Sequence, residues 1–328
     1  MNLKKDLDVT ALGELLIDFT ECGFSGQGNP TYEANPGGAP CNVLSMLTRL
    51  GRKVAFIGKV GDDIFGRQLT KAVVEQGIDI GGLRKDSENH TTLAFVEKLP
   101  DGDRDFSFYR KPGADMSLLP EEVDIDRIRR ARIFHFGTLS LTDEPVRSAT
   151  REAVHVAEES GCIRSFDPNL RPPLWESEEE ARRQTAYGLE HCDVLKIADN
   201  EIRWFTGEED FDAGLDILQR DYPGIRLICL SMGPEGSLAS YKGFRFRVPA
   251  FLNENTIETT GAGDTFGACV LDFVLEHGLD DLSVGDLRSM LVFANAAASV
   301  VTTRRGALRV MPTREEVEEL CGNAEGRK

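Results

Sequence analysis

Short apolar runs recur down this chain, most of them separated by an amphipathic stretch, and that alternation constrains its fold more than any other feature. Val9–Ile17, Val54–Val60, Ile133–Phe136, Cys162–Phe166, Val194–Ile197 and Leu227–Leu230 read as strands buried on both faces. Between them lie helical patterns. One spans Pro40 to Leu50, with Val43, Met46, Leu47 and Leu50 on one face and Gly51 as its stop. Others cover Phe65–Gln76, Pro145–Ser160 and Glu178–Glu190, and two longer ones fall at about 263–277 and 286–303. Strand–helix–strand alternation predicts an α/β fold, a mainly parallel central sheet with helices on both faces.

Two segments break the rhythm. Residues 18–35 carry Gly23, Gly26, Gly28 and Pro30 and read as short strands with turns. Within 91–110, Thr92–Leu99, a Pro-Asp-Gly-Asp turn and Asp105–Arg110 form a hairpin signature. Together they predict a small antiparallel sheet set apart from the main one, placed to act as a lid.

Composition narrows the function. With 38 Lys+Arg against 55 Asp+Glu, the formal charge is −17, which disfavours a nucleic-acid or anionic-membrane partner. No run approaches the ~20 apolar residues of a membrane helix, and the start of the chain lacks the apolar core of a secretion signal. The seven cysteines are scattered, with no C-x-x-C pair, as expected of free thiols in the cytoplasm. Asn89-His90-Thr91 fits a glycosylation sequon that has no use there.

The most informative stretch is Thr259-Thr260-Gly261-Ala262-Gly263-Asp264, opening a helix that Gly278 ends. Its glycines let successive N–H groups point inward as an anion nest, and the helix terminus adds partial positive charge there. Phosphate is the natural guest. Asp264 reads either as an N-terminal helix carboxylate or as a base beside a transferring phosphate. Other phosphate motifs are absent: there is no G-x-x-x-x-G-K-[ST], no protein-kinase set, and the glycine spacing departs from the dinucleotide fingerprint. Three more polar clusters fall near predicted strand or helix ends. They are Asp18 at the end of the first strand, Asn35-Pro36-Gly37-Gly38 with Asn42 before the 40–50 helix, and Asp167-Pro168-Asn169 with Arg171. Ligands bind at the carboxyl ends of strands in open α/β sheets. The constellation points to phosphate transfer onto a polyhydroxylated small molecule.

On these residues the chain resembles the ribokinase-like (PfkB) carbohydrate kinases, and within them the fructokinases. Asn35–Asp62 is similar to the family's first signature and Glu258–Gly267 to its second. Phe106–Leu118, His135–Pro145 and Ser165–Arg171 resemble fructokinase sequences in order and spacing. The resemblance runs from about residue 8 to 318. It implies one Rossmann-like ribokinase-fold domain over 1–328, with a β-sheet lid inserted from about 18–35 and 91–115. It implies ATP and Mg²⁺ as co-substrates and phosphorylation of a primary sugar hydroxyl, fructose giving fructose 6-phosphate. Asp264 then matches the base, and Gly261, Ala262 and Gly263 the anion hole. Asp18, Gly37, Gly38, Asn42, Arg110, Asn169 and Arg171 fall on the sugar side. Lys196, Ser231, Gly233, Gly236, Gly263 and Asn295 fall on the nucleotide side, and Glu201 near the water shell of Mg²⁺.

Two departures stand out. Ala198-Asp199-Asn200-Glu201 keeps only the glutamate of the family's N-x-x-E, and Glu258 stands where many relatives carry Asp beside a monovalent-cation site, leaving potassium use open. A kinase for a sugar acid such as 2-keto-3-deoxygluconate is the nearest rival. Arg110 and Arg171 would pair with its carboxylate, and Asp115 would repel it if it faced the pocket. A non-catalytic nucleotide or sugar sensor on the same fold is the rival from another class, and an intact G-A-G-D speaks against it. A lid edge needs cover, so a homodimer through the lid is expected.

Overall fold

The computed structural model describes residues 4–98 and 104–325. Thirteen strands occur among them: β1 (Leu7–Leu12), β2 (Leu16–Phe24), β3 (Pro30–Gly37), β4 (Val54–Gly61), β5 (Asp79–Asp86), β6 (Leu93–Lys98), β7 (Arg104–Tyr109), β8 (Ala131–Gly137), β9 (Ile163–Asp167), β10 (Val194–Ala198), β11 (Leu227–Ser231), β12 (Ser237–Tyr241) and β13 (Phe244–Val248). The helices are α1 (Ala39–Arg49), α2 (Ile64–Glu75), α3 (Ile125–Arg130), α4 (Val146–Glu159), α5 (Glu178–Glu190), α6 (Asp199–Thr206), α7 (Phe211–Asp221), α8 (Ala262–His277), α9 (Val284–Val301) and α10 (Arg314–Glu325).

Nine strands form one sheet in the order β13-β12-β11-β10-β9-β8-β1-β4-β5, parallel except where β12 meets β11 and β13. Successive side chains point to opposite faces, so each buried strand feeds two cores. Val9, Ile133, Val194 and Leu227 pack with α1, α8 and α9. Phe134, Phe136, Phe166, Leu195 and Ile228 pack with α4 and α7. This is why the strands lack polar alternation. Full burial of each such side chain stabilises the fold by roughly 1.5–3 kcal/mol.

The second sheet has the order β3-β2-β6-β7. It is mixed rather than antiparallel, because β2 and β6 run parallel. The Pro-Asp-Gly-Asp turn between β6 and β7 lies outside the described residues.

One expected strand is two. Val9–Ile17 breaks at Gly13-Glu14-Leu15, where the chain leaves the main sheet after Leu12 and enters the lid at Leu16. Asp18 therefore sits within lid strand β2 and does not end the first strand. Gly13 permits the break, since a Cβ there would lie 2.6 Å from Pro40 Cγ. Helix α9 has the length and hydropathy of a membrane span, contrary to the expectation that no segment comes close. Half of it is buried, against α8, α10 and β13, which accounts for its composition.

Candidate active site

The carboxyl ends of β1, β8, β9 and β10 and the amino ends of α1 and α8 converge under the lid. They enclose a cavity of about 430 Å³ lined by Glu14, Asp18, Asn42, Arg171, Lys196 and Asp264, with Gly38, Asn169, Gly261 and Gly263 supplying backbone. The geometry of α1 explains the Gly37-Gly38 pair. A Cβ on Gly37 would lie 2.3 Å from Asp18 Oδ2, and one on Gly38, at φ 121°, would lie 2.4 Å from the Glu14 carbonyl oxygen. Side chains are excluded so that the strap can pass between lid and helix.

Asp264 stands on the first turn of α8, whose cap residue Gly261 takes φ 76°. Asn42 Nδ2 donates to Asp264 Oδ2 at 2.8 Å, while Asn42 Oδ1 is buried without a partner. Burial pushes Asp264 above the ordinary carboxylate range, and the Asn42 amide, Lys196 and Arg171 pull it back. Burial likewise pushes Asp18 up to about 7, opposed by Arg171 and reinforced by Asp264 and Glu258.

Lys196 lies beside the nest: a Cβ on Gly263 would be 3.1 Å from its Nζ. The ammonium pairs with Asp167 at 3.1 Å. Burial works against its charge, but Asp167, Glu201 and Asp264 raise its pKa above the usual lysine value. Asp167 also accepts from the Asn169 N–H at 3.2 Å, holding the Asp-Pro-Asn turn in which Asn169 takes φ 43°. A non-glycine residue in that region costs energy and typically marks a site. Arg171 Nη1 donates to the carbonyls of Asn169 and Leu170 and acts electrostatically on Asp18 and Asp264.

A second groove, of about 640 Å³, opens on the other side of the Gly261–Asp264 turn. Ser231, Gly233 and Gly236 form one wall, Asn295, Ala298 and Ser299 of α9 another, and Phe251 and Leu252 a third. Ala262 and Gly263 form its floor, and Gly263 and Thr259 belong to both spaces. Asn295 Nδ2 is held by the Val248 and Pro249 carbonyls. A larger groove, about 760 Å³, lies between the start of α2 and the lid, lined by Ile64, Tyr109 and Pro112 among others. Asp63 within it caps α2 and accepts from Thr91.

Arg110 is a correction. Its Nε and Nη2 pair with Asp115, its Nη1 donates to Thr142 Oγ1, and Nη2 also reaches the carbonyl of the cavity-lining Leu139, all in a buried site. It ties the end of β7 to the loop after β8 rather than facing a substrate. Asp115 is paired with Arg110 and also accepts from Thr92, and within the cavity its charge is felt by Glu14.

Glu201 accepts from the N–H groups of Leu170 and Ala198, fixing the Asp-Pro-Asn loop against the start of α6. Glu258 accepts from Gly306 N–H at 2.8 Å. Among the described residues no cluster of three acids, histidines or cysteines is placed to hold a metal ion.

Sequence reasoning missed Glu14, whose Oε1 accepts from the Ala39 N–H at 2.8 Å. Its signal was a lone acid inside an apolar run.

A glycine-rich turn at the start of α8 shared by a polar cavity and a second groove, on an α/β sheet with a lid, is the arrangement of a small-molecule kinase. The chain belongs to the PfkB family of carbohydrate kinases: the family model, described as pfkB family carbohydrate kinase, matches residues 6–314. It is 39% identical over 321 residues to fructokinase-1 of Zea mays, covering 96% of this chain and 98% of that one. Its fold superposes on a fructokinase from Xylella fastidiosa with bound ATP at a TM-score of 0.88, with 30% identity over 98% of this chain and 100% of that one. A fructokinase from Vibrio cholerae O395 bound to fructose, ADP and calcium matches at 0.85, with 27% identity over 97% and 100%. These likenesses establish an ATP-dependent sugar kinase of ribokinase fold.

Proposed function

We propose that this enzyme is a fructokinase that transfers the γ-phosphoryl group of MgATP to the 6-hydroxyl of D-fructose. The observation that carries the reading is the single Gly261–Asp264 turn serving both spaces, so that a hydroxyl in one and a phosphate in the other meet at Asp264. Asp18, Asn42 and Asn169 bind sugar hydroxyls, and the unpartnered Asn42 Oδ1 awaits one of them. Asp264 takes the hydroxyl proton as the oxygen bonds to phosphorus, and the electron pair of the breaking P–O bond leaves with ADP. The transition state is loose, so a carboxylate suffices as base and positioning dominates. The N–H groups of Gly261, Ala262 and Gly263 and the Lys196 ammonium take up charge on the transferring group. Ser231, Gly233, Gly236 and Asn295 border the nucleotide, and Glu201 and Asp167 orient water around its Mg²⁺.

The domain is one unit over 1–328 with its lid at 18–35 and 91–115. A sugar acid fits this cavity poorly, because Arg110 is committed to Asp115 while Glu14, Asp18 and Asp264 line the wall. The name fructokinase carried by the maize, Xylella and Vibrio relatives supports fructose. We further propose a cytoplasmic homodimer joined through the lid, where Tyr109 of β7 is two-thirds exposed; a sedimentation mass of one chain removes that part. The test of the reaction is ADP release with MgATP over fructose, glucose, ribose and 2-keto-3-deoxygluconate, with Asp264→Asn alongside. Fructose turnover lost in the variant is expected; preference for the keto acid overturns the substrate.

A further inference from the structure

We propose that Glu14 is a positioning residue for phosphoryl transfer, fixing the first turn of α1 so that Asn42 holds the Asp264 carboxylate at the sugar cavity. This rests on the reading of Asp264 as the base.

Glu14 occupies the three-residue connection between β1 of the main sheet and β2 of the lid. It is buried, and its Oε1 accepts from the N–H of Ala39, the first residue of α1. That helix has no local cap, because the residue before it is Gly38 and the next after Ala39 is Pro40. The first N–H groups of a helix need partners from outside it. Here the partner comes from the connection between β1 and β2, 25 residues earlier in the chain.

The contact has no slack. Gly38 lies against the Glu14 carbonyl and Gly13 against the Pro40 ring, too close at either place for a methyl group. A shift of the 13–15 segment must therefore move the start of α1. One turn on, Asn42 donates to Asp264 at 2.8 Å, and no other partner fixes its amide. The line from lid strand to base thus runs Glu14, Ala39, Asn42, Asp264. The charged neighbours that act on Glu14 are Arg110 and Asp115, the buried pair that ties the other two lid crossings. Those facing Asp264 are the cations Lys196 and Arg171 and the acids Asp18 and Asp167.

The test compares E14A, E14Q, N42A and the E14A/N42A pair in steady-state kinetics over pH 5–9. The Asn42 hydrogen bond favours the ionised base, so releasing it moves the acidic limb of kcat/KM to higher pH. E14A is expected to lower kcat about tenfold or more, shift that limb upward as N42A does, and leave ATP affinity within twofold. E14Q keeps an acceptor for Ala39 and should recover most of kcat. In the N42A background, E14A should add less than twofold, since both break one line. An unmoved pH limb, fully additive losses, or E14Q as impaired as E14A overturns the proposal. If E14A does not fold, E14D keeps the charge but shortens the reach and must show the same limb shift. Asp264→Asn separates the two readings. If it still turns over, the base assignment fails; if it is inactive while E14A matches wild type, only the role of Glu14 fails.

Discussion

Asp18→Asn should make the ligand-free enzyme more stable, by an amount that grows as pH rises from about 4 to 7. Burial holds the Asp18 carboxyl at about 7 in the fold, against 3.8 in the unfolded chain, with Asp264 and Glu258 adding to the effect and Arg171 opposing it. The native state therefore binds this proton more tightly than the unfolded one. Stability from that proton is fully present below about pH 4 and is lost as pH rises towards 7. Three pH units of proton affinity correspond to up to about 4 kcal/mol. Asn carries no charge at any of these pH values, so the variant escapes the loss. Unfolding entropy of about 2.1 cal/mol/K per residue over 328 residues gives about 0.7 kcal/mol/K, so the gap amounts to about 6 °C in Tm. Thermal melts of both proteins without ligand at pH 4, 6 and 8 should show a difference growing from near zero to about that size. A gap that is constant with pH, or a variant less stable at pH 8, would refute the electrostatic reasoning. The same variant should bind fructose more weakly, because a carboxylate accepts sugar hydroxyls more strongly than an amide does.

Asp264→Asn should lower kcat by about 10²–10⁴-fold, measured by coupled ADP release, while calorimetry finds ATP binding intact. Gly38→Ala forces a Cβ to 2.4 Å from the Glu14 carbonyl at φ 121° and should cost about 1–3 kcal/mol in urea unfolding, with a raised fructose KM; wild-type behaviour would mean the strap is not tightly held. Arg110→Leu strands the buried Asp115 and should destabilise the fold by about 3–5 kcal/mol. The added change Asp115→Leu should restore much of that, which a role for Arg110 in substrate binding does not predict.

The strands, the flanking helices and the glycine turn that opens α8 at Gly261–Asp264 were legible because each is a local pattern. Two-face burial removes polar residues from a parallel strand, and an anion nest needs glycines in sequence. What escaped depends on packing between distant segments. Val9–Ile17 has the hydrophobicity of one strand, and only the fit of Gly13 against Pro40 shows that it must turn there. Arg110 stands in a stretch where a cation beside a cavity is a natural reading. Its partner Asp115 lies five residues on, across a turn, and its other contacts come from the loop after β8. No spacing rule distinguishes an arginine that meets a substrate from one that closes a hinge.

The substrate class follows from the same charges. Arg110 is matched by Asp115, and Lys196, paired with Asp167, lies beside Gly263 where the proposed phosphoryl group passes, so neither is left to meet a carboxylate on the sugar. Arg171 remains near Glu14, Asp18 and Asp264, and burial raises the proton affinity of all three acids. A carboxylate entering such a cavity adds to the burden of buried negative charge. A neutral polyol relieves it, because each hydroxyl donates to an acid and replaces the water that burial removed. The feature that destabilises the empty enzyme is thus the one that selects its sugar. Hydroxyl donors also favour the ionised carboxylates, so in the proposed reaction the sugar itself would bring Asp264 towards the charged form a base requires.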